Sequence, residues 1–293
     1  MELDWRTFQE LFGKAVAAAM IAGLVCPLVG CFLLVRRTSF YGIVLPQLAA
    51  SGVAFGFAIM PWWVAHVGIG DLDLVTAMED SHAAMNYHLA WAAVFTFGGL
   101  AALIALGRRG GSEVARMATA FALASAATIL FAHASPTGEI FVSGLLKGEI
   151  LAVGAHELET LGAALGATLL GVLLFHRDFL IVSYDREAAI VLGKRVVAIE
   201  TVLTVLIGLT VSASTLTVGP VVLFGLIVLP PVAARGLSRS MASFYAIAAG
   251  LGLAAAAGGI WASFRFDWPL GPSVVAAAAV TLVPGAITSR LSR

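Results

Sequence analysis

Nine apolar stretches dominate this sequence, at about 13–35, 43–65, 89–107, 117–134, 158–176, 196–214, 218–234, 242–263 and 272–288. Each approaches the ~20 residues that a helix needs to cross ~30 Å of hydrocarbon. Backbone polar groups find no water in that layer, so only helices and closed barrels span it. Barrel strands would alternate apolar and polar residues over about ten positions. Blocks such as 221–229 (VVLFGLIVL) and 274–280 (VVAAAAV) do not alternate. The chain is therefore expected to be all-α: a polytopic helical membrane protein with about 8–9 transmembrane helices, a single domain over 1–293. Its composition agrees, with 60% hydrophobic and 12% charged residues and a mean hydropathy of +0.98. That balance excludes a disordered chain, a nucleic-acid binder and an ordinary soluble enzyme.

Net charge is zero, so sidedness has to be read from where the basic residues fall. Arg36 and Arg37 close the first span, and Arg108, Arg109 and Arg116 follow the third. Arg177, Arg186, Lys194 and Arg195 follow the fifth, Arg235 and Arg239 the seventh, and Arg290 and Arg293 the ninth. If all nine cross, these thirteen share one side, leaving only Arg6, Lys14, Lys147 and Arg265 on the other. Basic connections stay cytoplasmic. The N-terminus is thus expected outside and the C-terminus inside. The start (Glu2, Asp4, Arg6, Glu10) lacks a secretory leader's basic region, so every residue is expected to be mature.

The loop 66–88 then lies outside and holds His66, Asp71, Asp73, Glu79, Asp80, His82 and His88. It reads either as a solvated loop or as a surface that gathers cations or contacts a partner. The segment 139–155 is too short and polar for a full crossing and reads as external or re-entrant. Cys26 and Cys31, the only cysteines, sit ~140° apart on one helix and are not expected to pair.

Two enzymatic readings fail. A phosphate-binding loop needs G-x-x-x-x-G-K-[ST]. Gly13-Lys14 is followed by Ala15, and Gly193-Lys194 by Arg195. His156-Glu157 opens like H-E-x-x-H, but Thr160 stands where the second histidine belongs, so it reads as a polar start to a helix. Two other segments are informative. The cytoplasmic stretch 179–195 (FLIVSYDREAAIVLGKR), within the connection 177–195, reads as a short helix ended by Gly193 that docks on a partner, or as a solvated linker. The stretch 219–235 carries Gly219, Pro220, Pro230 and Pro231, and its paired prolines read either as a helix break that frees carbonyls or as a simple kink.

Four stretches together resemble the permease subunit of metal-uptake ABC importers, the zinc/manganese/iron permeases of ABC transporter family 3. They are 27–56 (PLVGCFLLVRRTSFYGIVLPQLAASGVAFG), 148–153 (GEILAV), 183–195 (SYDREAAIVLGKR), and 219–235 (GPVVLFGLIVLPPVAAR) together with 263–275 (SFRFDWPLGPSVV). The resemblance implies a type II ABC importer permease architecture in the inner membrane. It implies a cytoplasmic ATPase dimer, a second permease copy or paralogue, and an external solute-binding protein. Asp185, Arg186, Glu187, Ala188 and Gly193 would contact the ATPase, and Gly219, Pro230 and Pro231 would serve helix breaks or gating. No cofactor is expected on this chain; the metal or chelate is cargo.

One departure qualifies the resemblance. Such permeases usually carry an Asp and, four residues later, a His at the start of the second span, an i, i+4 pair suited to a divalent metal. Here Ile43 and Gln47 occupy those positions. The cargo could be a chelate, the second subunit could supply the ligands, or Gln47 and Ser51 could line a weaker path; the first two are preferred. A stand-alone secondary transporter is the main rival reading, and an intramembrane hydrolase a weaker one.

Overall fold

The structure is a computed structural model that describes residues 5–66, 82–107, 110–147 and 153–283. Among them there is no strand, and eleven helices follow one another. They are α1 (Trp5–Val35), α2 (Tyr41–His66), α3 (His82–Gly107), α4 (Glu113–His133), α5 (Pro136–Lys147) and α6 (Ala155–Tyr184). Then come α7 (Arg186–Val191), α8 (Val196–Val218), α9 (Pro220–Leu237), α10 (Met241–Phe266) and α11 (Leu270–Val280). Eight are long and apolar enough to cross a membrane. The ninth expected span, 272–288, corresponds to α11 as far as Val280, and 284–288 lie outside the described residues. At 12 residues, α5 extends only ~18 Å, well short of a bilayer core.

Two helices outrun the apolar stretches that announced them. The first is α3, which starts at His82, so 82–88 of the expected loop is helical, while 67–81 lie outside the described residues. His88 is 6% exposed and stacks on Phe57 at 3.9 Å; it is a packed helix residue, not a loop ligand. The second is α6, which continues to Tyr184, turning 177–184 into helix. Phe179 and Val182 bury one face of that extension while Arg177 is exposed, so amphipathic packing sustains the helix where bulk hydropathy falls.

The prolines correct a second expectation. Pro230 and Pro231 sit inside an unbroken α9. The break falls at Gly219, with φ +84° and ψ +157°, the single residue between α8 and α9. Pro220 then occupies the first helical position of α9, where its missing N–H leaves nothing unsatisfied.

What the internal prolines do is free carbonyls, and glycines meet them. Pro231 has no N–H for the carbonyl of Ile227, and that oxygen abuts Gly30 of α1 where a Cβ would stand. Pro27 likewise frees the carbonyl of Gly23, which presses on Gly252 of α10. A Cβ on Gly23 would in turn lie 2.8 Å from the Gly252 oxygen. In lipid, where a bare carbonyl is costly, such Cα–H···O contacts and close backbone approach tie α1 to α9 and α10. Ala15, Ala18, Ala19 and Ala22, all nearly solvent-free, extend the same small-residue face.

Two groups of helices result. One gathers α3, α4 and α5 on α2; the other gathers α6, α9 and α10 around α1, with α11 packed on α9 and α10. Consecutive α1 and α2 barely touch, and α8 and α9 bridge the groups. Polar side chains fasten α8 to three neighbours. Thr210 bonds Thr168 of α6 at 2.9 Å. Ser212 donates to Thr96 of α3 at 3.3 Å. Ser214 lies 3.7 Å from the Cys26 sulfur of α1. Both cysteines are free and buried.

Candidate functional site

Three of the basic connections expected on one side converge, while Arg108, Arg109, Arg290 and Arg293 lie outside the described residues. The ends of α1 and α6 and the α9–α10 link line a common cavity, and charge pairs lock α6, α7 and α8 together nearby.

Its most articulated part is α7. Asp185 ends α6 and caps α7, its carboxylate accepting the N–H groups of Glu187 at 3.0 Å and Ala188 at 2.9 Å. Such a cap contributes about 1 kcal/mol. The helix ends in a Schellman turn: Lys194 N–H reaches the Ala189 carbonyl at 3.0 Å and Gly193 N–H the Ile190 carbonyl at 3.0 Å. Gly193 takes φ +72°, a conformation that glycine enters without a Cβ clash. Six residues cannot hold a helix alone, so tertiary contacts must. Ala189 is buried among Val182 and Val196. Lys194 pairs with Asp178 of α6 at 2.7 Å. Arg186 pairs with Glu200 of α8 at 3.4 Å, and Glu200 also holds Arg36 at 3.5 Å. One carboxylate thus joins the α1 exit, α7 and α8.

Five residues of this segment were expected to act at its surface: Asp185, Arg186, Glu187, Ala188 and Gly193. The structure gives three of them building roles. Asp185 and Gly193 start and stop the helix, and Arg186 anchors it. The exposed edge includes Glu187 and Ala188, but mainly Ile190, Val191 and Leu192, which are 53%, 87% and 64% exposed. Three bare aliphatic residues thus form an exposed apolar patch on a segment held by ion pairs. Sequence reading passed over them because IVL in an apolar protein looks like more of the same. The signal that distinguishes them is their place between a polar cap and a C-terminal glycine.

The start of α2 is arranged differently. Gln47 donates from its amide nitrogen to the Thr128 hydroxyl of α4 at 3.4 Å, and Thr128 itself donates to the Ala124 carbonyl at 2.7 Å. Ile43 is partly buried. Ser51, one turn on from Gln47, is 1% exposed, enclosed by the chain's own packing. The i, i+4 geometry of positions 43 and 47 is therefore helical as expected, but its polar chemistry consists of hydrogen bonds. Among the described residues no group of three or more His, Cys, Asp or Glu side chains is placed to hold a metal ion.

The protease-like motif resolves into a helix start. The Glu157 carboxylate accepts the Gly154 N–H, and His156 lies 3.7 Å from Glu159. His133 is the exposed last residue of α4, and His66 Nδ1–H donates to the Trp62 carbonyl at 2.9 Å, the ring stacked on that indole.

Comparison with known proteins gives these features a context. Residues 8–289 match the ABC 3 transport family. The chain is 27% identical over 274 residues to the manganese transport system membrane protein MntC of Halalkalibacterium halodurans, covering 89% of this chain and 82% of that one. It is 24% identical over 282 residues to the chelated iron transport system membrane protein YfeD of Yersinia pestis, covering 95% and 85%. Among solved structures, PsaBC from Streptococcus pneumoniae in complex with Fab superposes with a TM-score of 0.79 at 21% identity, covering 98% of each chain. An inward-facing transporter described as of the metal-chelate ABC type superposes with a TM-score of 0.67 at 16% identity, covering 98% of this chain and 88% of that one.

Proposed function

The chain belongs to the ABC 3 transport family, a family of ABC transporter permeases, and from that premise we propose that it carries a transition-metal ion or a metal chelate inward through the cytoplasmic membrane, driven by a separate ATPase dimer. The observation that carries the reading is α7: a capped, ion-paired helix offering Ile190, Val191 and Leu192 beside the converging arginines. A free-standing carrier has no use for a rigid apolar tip at that place. An ATPase that closes on ATP would pull this tip, and the Arg186–Glu200–Arg36 linkage would pass the movement to α8 and α1. A second permease copy or paralogue and an external solute-binding protein complete the assembly. Reconstitution tests it: liposomes holding the permease with its ATPase and binding protein should accumulate labelled manganese, zinc, iron or iron chelate only with ATP. Uptake by the permease alone would overturn the reading.

The cargo follows from α2. An amide that bonds a threonine presents hydrogen-bonding groups, which supports a cargo wrapped in its own ligands, or a paralogous subunit that provides them. The double substitution Ile43→Asp and Gln47→His restores a carboxylate and an imidazole one turn apart. It should tighten manganese or zinc binding by at least about tenfold, ~1.4 kcal/mol. Unchanged calorimetric titrations would count against positions 43 and 47 facing the path.

Orientation is tested separately. Reporter fusions within 66–88 should give the external signal and fusions after Gly193 the cytoplasmic one. The reverse pattern would invert the transport direction assigned here.

A further inference from the structure

Four arginines from two connections line one cavity of about 760 Å³ at the α7 end of the bundle. Arg36 and Arg37 come from the α1–α2 turn, Arg235 from the last turn of α9, and Arg239 from the α9–α10 link. Arg36 is committed to Glu200. Arg37, Arg235 and Arg239 make no ion pair among the described residues. Three guanidinium groups without an ion pair, all exposed to solvent, leave one hollow with a single sign of charge that attracts anions.

Further observations point the same way. Arg37 has φ +58°. It occupies the left-handed position of a Schellman turn, with Thr38 N–H on the Leu33 carbonyl at 2.9 Å. Glycine is the usual residue there, so the backbone is strained to keep an arginine. The Ser183 hydroxyl, in the same cavity, is shielded from solvent and has no hydrogen-bond partner among the described residues. The 26-residue α10 begins at this cavity with Met241; its first turn is capped by Ser240 and Ser243, and its dipole adds positive potential there. One wall is apolar: Val35, Met241 and the buried Phe244.

We propose that this cavity binds the phosphate headgroup of an anionic membrane phospholipid, with Arg37, Arg235 and Arg239 around the phosphate and the apolar wall against the lipid's glycerol and acyl end. Guanidinium forks match phosphate oxygens in pairs. The cavity lies at the ends of spanning helices, where headgroups sit, and basic pockets between helices on the cytoplasmic side suit acidic lipids. A free inorganic phosphate would satisfy the arginines but leave the apolar wall unused. The inference rests on the orientation assigned above, which puts this cavity at the cytoplasmic face, but not on the identity of the cargo.

Native mass spectrometry of the full-length protein in mixed micelles tests it. Phosphatidylglycerol should stay bound, phosphatidylcholine should not, and millimolar inorganic phosphate should fail to displace it. Arg235→Gln with Arg239→Gln should weaken retention roughly thirtyfold, about fivefold for each basic residue lost. Arg37→Gly relieves the left-handed strain, so it should melt no lower than the parent protein yet still bind the lipid more weakly. Arg265→Gln, at the far end of α10, should change nothing. Equal retention of both lipids overturns the proposal, as does undiminished phosphatidylglycerol binding in the arginine variants. Displacement by inorganic phosphate would reassign the cavity to free anions, and loss of the lipid on assembly with the ATPase would reassign it to a protein contact.

Discussion

Replacing Gly30 with alanine should abolish the native packing of the bundle. A Cβ at that position would fall on the Ile227 carbonyl oxygen and come within 2.8 Å of the Pro231 ring. Neither neighbour can yield as a flexible side chain would. The oxygen is helix backbone, and Pro231 is rigid and buried. Overpacking a well-filled core costs about 1–3 kcal/mol, and here the two helices themselves must separate, uncovering the carbonyl that Pro231 leaves without a donor. The expected result is a loss of the monodisperse peak in size-exclusion chromatography, or a melting temperature lowered well beyond 10 °C. Gly166→Ala on α6, where a Cβ meets nothing within 4 Å, should be neutral or slightly stabilising, because alanine favours helix by ~1 kcal/mol. Equal melting of Gly30→Ala and Gly166→Ala would show that α1 and α9 are not in backbone contact.

Placing charge on the α7 tip should separate the permease from its ATPase while leaving its fold intact. Val191→Asp with Leu192→Asp alters two side chains that are largely exposed in the isolated chain. The intramolecular cost is therefore small. Central apolar anchors at an interface each contribute about 2 kcal/mol or more, so the pair should weaken ATPase binding by a factor of a hundred or more. Co-purification should be lost and ATP-driven uptake abolished at an unchanged melting temperature. Gly193→Ala is a different perturbation. It strains the closing turn by ~1–2 kcal/mol and should loosen α7 as well as weaken binding. Glu187→Ala keeps the apolar tip and should reduce coupling less than the double aspartate variant. Normal co-purification by the double variant would remove α7 from the ATPase contact.

The two sites differ in how much of them could be read in advance. Gly193 is a local signal, a positive-φ residue after a helix, and was placed as the stop from the residues alone; Asp185, expected as a partner contact, is the cap that starts the helix. Which side chains then face outward depends on burying Ala189 between Val182 and Val196, residues of different helices. That pushes Ile190, Val191 and Leu192 into the open. The proline pair does not break its helix for a related reason. A lone helix would break at Pro230–Pro231, but this one continues through them, packed on its neighbours, and a glycine nearly two hundred positions away covers the freed carbonyl. At α2 the substitution of Ile43 and Gln47 was plain, but the Gln47–Thr128 bond that absorbs the amide was not.

Membrane class, helical architecture and the grouping of basic connections were set by the sequence alone. Each depends on a local sum, apolar length against bilayer thickness or arginines per loop, and needs no knowledge of what packs where. Tertiary structure decided the rest: that Gly30 must be bare, that Gly219 and not the prolines ends a helix, that Glu200 joins three elements, and that arginines from separate connections ring one cavity. These are relations between residues far apart along the chain, and they exist only once helix surfaces choose their partners.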